Sequence, residues 1–322
     1  MLANEVRDAA DGARRQLSRC APLFADLARR LAANPPQIVM TCARGSSDHA
    51  ATYGKYLIET TIGRVVASVG PSVASVYDRT LHGIERALFV AVSQSGESPD
   101  LLELTRAARG GGALVVGMIN AEGSPLAALC DVVIPLCAGP ELAIAATKSF
   151  LLAGLAFVQL VAAWTGDPAL HAAAAAAPDA FTGDAWDLTA LAPAQSAYVI
   201  GRGIGLGVAL EIALKLKETC RLHAEAFSTA EVLHGPVALV GPGFPIIALT
   251  QPDATETRTR AVIEKLAAMG AAVHSAPAVT CPPILAPLCQ VQRFYLGIPA
   301  LAAARGLDPD APAHLSKVTL TR

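Results

Sequence analysis

A chain of 322 residues that is 53% hydrophobic and only 16% charged has too much apolar surface to stay disordered, and it has room for two domains of ordinary size. Its formal charge of −2 argues against a general nucleic-acid role. The seven cysteines (Cys20, Cys42, Cys130, Cys137, Cys220, Cys281 and Cys289) show no CxxC pair and no zinc spacing, so they read as reduced, buried thiols of a cytoplasmic protein.

Residues 1–19 carry several charges and no short apolar run, so no signal peptide is expected. Residues 3–33 predict an amphipathic helix or helix pair, interrupted near Ala21-Pro22. From Gln37 the pattern alternates. Apolar strands are expected at 37–42, 64–70, 87–93, 113–120 and 131–137, with a Ser-rich loop and a helix after the first and the third. The Gly139-Pro140 break precedes a long apolar helix over about 144–165. Its core, Leu151 to Trp164, is too short to span a bilayer, and no membrane role is expected. The Ala- and Pro-rich stretch 166–194 is the expected connector. A second series follows: strand 196–203, helix 206–221, strand 244–250, helix 256–270, strand 271–276 and a helix near 293–304. Continuous apolar strands alternating with helices predict α/β domains with parallel, doubly wound, flavodoxin-like sheets. The domains are expected at 1–185 and 186–322. TCARGSSDHAA and IGRGIGLGVALE occupy equivalent places in the two halves, which suggests internal duplication.

Ligands of parallel α/β sheets bind beyond the C-terminal ends of the strands. Gly45-Ser46-Ser47 and Ser93-Gln94-Ser95-Gly96-Glu97-Ser98 fall there, with hydroxyls, an amide and helix N-termini suited to an anion such as phosphate. Helix capping is the competing reading for any single serine. Lys148, after Ala145-Ala146-Thr147, is set against the helix dipole; the ordinary expectation is a surface lysine that snorkels. GRGIGLG (201–207) lacks clean dinucleotide spacing and reads as a tight strand-to-helix turn.

Residues 211–236, EIALKLKETCRLHAEAFSTAEVLHGP, concentrate ionisable groups in an apolar context. Glu211, Lys215 and Glu218 share one helical face, and His223, Glu225, Glu231 and His234 follow before Gly235-Pro236. A surface ion-pair stripe and a proton-transfer site both fit this spacing. Lys317 near the end is either a solvated lysine or an amine able to form an imine with a carbonyl sugar.

Five segments, in order and at matching intervals, resemble the tandem sugar-isomerase (SIS) domain family. They are SQSGES (93–98), ELAIAATKSF (141–150), EIALKLKETCRLHAEAF (211–227), HGPVALV (234–240) and LSKVT (315–319). The chain is similar to the isomerase half of glutamine:fructose-6-phosphate amidotransferase. In ARGSSDHAA and HLSKVTLTR it resembles stand-alone SIS-type glucosamine-6-phosphate deaminases. The resemblance implies that Ser47, Ser93, Gln94, Ser95 and Ser98 bind the sugar phosphate. It implies that Ser46 and the backbone near Ile144 contact the sugar. Glu218 would move a proton between C1 and C2, with Lys215 beside it. His234 would assist ring opening from a neighbouring subunit, and Lys317 would react with the open-chain sugar. Two departures stand out: Arg44 replaces the synthase's cysteine, and Pro312-Ala313-His314-Leu315 replaces its Pro-Arg-Asn-Leu. No cysteine follows Met1, so ammonia release from glutamine is not expected. The implied reaction is deamination of glucosamine 6-phosphate by a homodimer, without metal or redox cofactor. An aldose–ketose isomerase, a fructosamine-phosphate deglycase and a non-catalytic sugar-phosphate sensor are the alternatives.

Overall fold

The structure is a computed structural model that describes residues 1–317; Val318 and Thr319 of the LSKVT match lie outside the described residues, as does the rest of HLSKVTLTR. The chain forms two compact units. One comprises residues 8–141 and 148–178, with Ser316 and Lys317; the other comprises 1–7, 142–147 and 179–315.

The chain opens with α1 (Leu2–Arg7) and α2 (Ala9–Ala33). They part at Asp8, and α2 runs unbroken through Pro22, where the sequence predicts an interruption. The reason is tertiary. Cys20, Phe24, Leu27 and Leu31 are buried along one face, whereas Pro22 and Ser18, whose carbonyl loses its donor, are both exposed. Then come β1 (Ile38–Cys42), α3 (Ser46–Ile62), β2 (Val66–Ser68), α4 (Ser72–Ser75), β3 (Ala87–Ser93), α5 (Pro99–Gly110), β4 (Leu114–Ile119), β5 (Val132–Pro135) and α6 (Lys148–Thr165). The five strands pair in parallel in the order β2-β1-β3-β4-β5. Every residue of β3 is buried, as the central strand of a sheet covered on both faces requires. α6 is long and apolar enough to cross a membrane by composition, yet 83% of it is buried inside the protein against α2 and α3, so it is a core helix.

After α7 (Pro168–Ala175) and α8 (Ala177–Ala180), the second sheet is built from β6 (Ser196–Gly201), β7 (His223–Ser228), β8 (Pro245–Ala248) and β9 (Ala272–Ser275). Its order is β7-β6-β8-β9, again all parallel. Helices α9 (Gly205–Cys220), α10 (Glu256–Ala268) and α11 (Ala286–Ala304) complete this unit, with α9 and α1 both packed on α11. Each sheet places its first strand second in order, so the duplication is one of topology. β7 goes beyond the sequence reading, which leaves 223–228 unassigned: an edge strand exposes alternate residues, and His223 and Glu225 project outward while Ala224 is buried.

Candidate active site

β1 and β3 are hydrogen-bonded neighbours, with Cys42 opposite Ala91, so the loops that follow them leave the same end of the sheet. One loop delivers Ser46 and Ser47 as the opening residues of α3, whose N-cap is Gly45. The other delivers Ser93, Gln94, Ser95 and Ser98, all at least half-buried. Helix capping does not account for these hydroxyls. Ser98 occupies the N-cap of α5 but makes no side-chain cap bond. Ser93 Oγ accepts from Gly96 N at 2.9 Å and Ser95 Oγ from Glu97 N at 3.3 Å, bonds that fold the loop on itself. Gly96 is obligatory here. Its φ is +65°, and a Cβ would sit 2.1 Å from Ser124 Oγ. Two helix N-termini and several hydroxyls therefore lie at the same end of the sheet, after neighbouring strands, an arrangement suited to an anion.

Arg44 ties the two loops together. Its Nε and Nη2 donate to Asp100 Oδ2 at 2.8 and 2.6 Å, and Asp100, in the first turn of α5, is fully buried. Asp100 is the residue here that sequence reading misses; the signal was an acid directly after a helix-opening proline. Asp48, in the first turn of α3, has its carboxyl pushed up by burial, against the pull of His49 and Arg44.

In the other unit α9 settles the stripe question. Glu211 and Lys215 are 0% and 1% exposed, so the face turns inward. Lys215 Nζ lies 3.3 Å from Glu211 Oε1 and 2.5 Å from Glu218 Oε2, and Tyr295 Oη donates to Glu211 at 2.9 Å. Burial pulls the Lys215 ammonium down, but the two carboxylates more than offset it and its pKa lies above the ordinary value. Glu218, with a side chain 21% exposed, is the outer member of this chain of contacts. It opens into a cavity of ≈730 Å³ that is also lined by Leu214, His223, Leu307, Pro312 and His314. His314 holds a left-handed backbone, φ +65°.

The remaining residues are placed as follows. His234 is exposed, between a short 3-10 turn and Gly235, and is not among the residues lining the Glu218 cavity. Ile144 is half-buried in a segment whose neighbours Leu142 and Ala143 donate their amides to Glu5 Oε1 at 2.6 and 3.2 Å. Lys317 Nζ lies 3.6 Å from Glu141 Oε2, a buried carboxylate that also takes Ser149 Oγ at 2.6 Å. Lys148 is 3% exposed, not a snorkelling surface lysine, and stands 3.6 Å from Asp8 at the very start of α6. GRGIGLG is the expected tight turn, where a Cβ on Gly201 would lie 2.5 Å from the Gly205 carbonyl. The serine set and the α9 set thus belong to different compact units.

A SIS domain model matches residues 34–163 and again 190–281, two segments that carry the two sheets. The chain belongs to the SIS domain family. Among curated relatives, the glutamine–fructose-6-phosphate aminotransferase (isomerizing) of Aeropyrum pernix is 36% identical over 308 residues, covering 85% of this chain and 49% of the relative. The enzyme of the same name from Symbiobacterium thermophilum is 38% identical over 315 residues, covering 87% and 51%. The chain thus spans about half the length of the curated relatives it matches. Among solved structures, a candidate phosphosugar isomerase from Silicibacter pomeroyi is 41% identical with a TM-score of 0.90, covering 96% of this chain and 99% of that one. A glucosamine-6-phosphate deaminase from Thermotoga maritima shares the fold, with a TM-score of 0.75 at 24% identity, covering 98% and 100%.

Proposed function

We propose that this SIS protein converts glucosamine 6-phosphate and water to fructose 6-phosphate and ammonia. The observation that carries the reading is the α9 arrangement: a cavity carboxylate, Glu218, held by the buried Lys215 ammonium, which also pairs with Glu211, itself hydrogen-bonded by Tyr295. A positioned carboxylate in a partly desolvated setting is what proton transfer at carbon requires. The serine loops would take the phosphate. His234, reaching in from a second copy of the chain, would assist opening of the sugar ring. Glu218 would remove the C2 proton of the open-chain aldehyde to give an enolamine and return a proton to C1. The resulting C2 imine would add water and expel ammonia, with Lys317 able to take the imine over by exchange. The names of the curated relatives supply the sugar class, and ARGSSD with HLSKVT points to deamination over synthesis.

The test is ammonia release from glucosamine 6-phosphate by the purified chain, beside Glu218→Gln and Lys317→Ala. Turnover is expected in the parent and should fall by roughly 10²–10⁴-fold in Glu218→Gln with sugar binding kept. Interconversion of fructose 6-phosphate and glucose 6-phosphate without ammonia would make the chain an aldose–ketose isomerase. Binding with no turnover would make it a sensor. Full activity in Lys317→Ala would remove the exchange step and leave the reaction standing.

A further inference from the structure

Two thiols that the sugar chemistry does not use lie against each other at the start of α11. Cys289 Sγ donates to Cys281 Sγ across 3.5 Å. Cys289, in the first turn of the helix, is 2% exposed, whereas Cys281, in the loop ahead of it, is partly open to solvent. The intervening segment begins with Pro282 and Pro283 and forms a short 3-10 turn, Pro283–Leu285, so little freedom separates the two sulfurs. A disulfide needs them to approach to about 2 Å, a short step from contact already made.

We propose that Cys281 and Cys289 are a redox-active dithiol that a peroxide closes to a disulfide and a thiol reductant reopens. The two cysteines have different roles. The hydrogen bond from Cys289 lowers the Cys281 pKa, Arg293 adds to this and burial opposes it, so Cys281 is the nucleophile. Accepting no such help, Cys289 is pushed up by its bond to Cys281 and by burial, and keeps its proton. The Cys281 thiolate attacks a peroxide oxygen; the O–O bond breaks and an S–O bond forms, giving a sulfenic acid and a hydroxide that leaves as water with the proton the Cys281 thiol had released. Cys289 then attacks the Cys281 sulfur. The S–S bond forms, the S–O bond breaks, and the oxygen leaves as water with the Cys289 proton. Two thiols and one hydrogen peroxide become one disulfide and two waters.

The experiment treats the whole chain with hydrogen peroxide, alkylates it and digests it with trypsin. Residues 266–293, bounded by Lys265 and Arg293, leave as one peptide holding Cys281, Cys289 and no other cysteine. The expected product is this peptide unalkylated and lighter by two hydrogens, returned to the doubly alkylated form by dithiothreitol. In Cys289→Ser, dimedone should capture a sulfenic acid on Cys281; in Cys281→Ser, Cys289 should stay unmodified at the same dose. Circular dichroism of each reduced variant establishes that it is folded. A doubly alkylated peptide after a peroxide dose that fully oxidises free cysteine would overturn the proposal. So would Cys281 carried on to sulfinic acid in the parent chain, because Cys289 would then fail to resolve it.

Discussion

Lys215 and Glu218 touch each other, yet their removal has different expected consequences. Lys215 is enclosed, and taking it away strips Glu211, a fully buried carboxylate, of this cation. Breaking a buried pair from one side costs about 3–5 kcal/mol. Lys215→Met should therefore shift the urea midpoint strongly downward, and Lys215→Met with Glu211→Leu should recover most of the loss. Glu218 is the partly exposed end, so Glu218→Gln should cost less than about 1 kcal/mol while lowering turnover roughly 10²–10⁴-fold. Equal stability losses in Lys215→Met and Glu218→Gln would mean that the buried pair does not anchor this helix. The i, i+4 and i+7 spacing made this face legible in sequence. Which way the face turned was not, because that depends on Tyr295, 84 residues away. Asp100 escaped for the same reason: its partner, Arg44, is 56 residues distant.

At the scale of elements, the serine loop depends on backbone geometry more than on any one hydroxyl. Gly96 → Ala would force a left-handed φ on alanine and drive its Cβ into Ser124. The loop must shift to relieve this, and with it the Ser93 and Ser95 bonds that shape the proposed anion site. Calorimetry with inorganic phosphate should show binding weakened at least about tenfold, an energy of roughly 1.4 kcal/mol, while Ser98→Ala keeps the fold and loses a smaller share. Unchanged phosphate affinity in Gly96 → Ala would separate this loop from the anion site. Periodicity located β1 to β6, β8 and β9 because their apolar runs are continuous. β7 was hidden because HAEAFS alternates on an edge, and its ionisable residues drew attention as chemistry. Pro22 misled in the opposite direction: a local helix breaker was outweighed by the buried face of α2.

At the scale of the whole molecule, the two sheets repeat one strand order, but the loops after their first strands have different chemistry. After β1 the turn is Arg44-Gly45-Ser46-Ser47, with hydroxyls and a fixed ion pair to Asp100. After β6 it is Arg202-Gly203-Ile204-Gly205, with no hydroxyl, and Gln251 fills the space beside it by donating Nε2 to the Arg202 carbonyl at 2.6 Å. Gln251 Oε1 would also meet a Cβ on Gly205 at 2.8 Å, so a neutral amide is packed against the helix start. With the Gln251 amide packed against this helix start and no hydroxyl in the turn, the proposed phosphate site is not expected a second time after β6. Calorimetric titration with fructose 6-phosphate should give one site per chain. Ser47→Ala with Ser95→Ala should abolish the heat, and Arg202→Ala should leave the affinity within about twofold, a difference near 0.4 kcal/mol. A stoichiometry of two, with half the heat lost in Arg202→Ala, would mean that the second copy kept a site of its own and that its glycine-rich turn still works as an anion cradle.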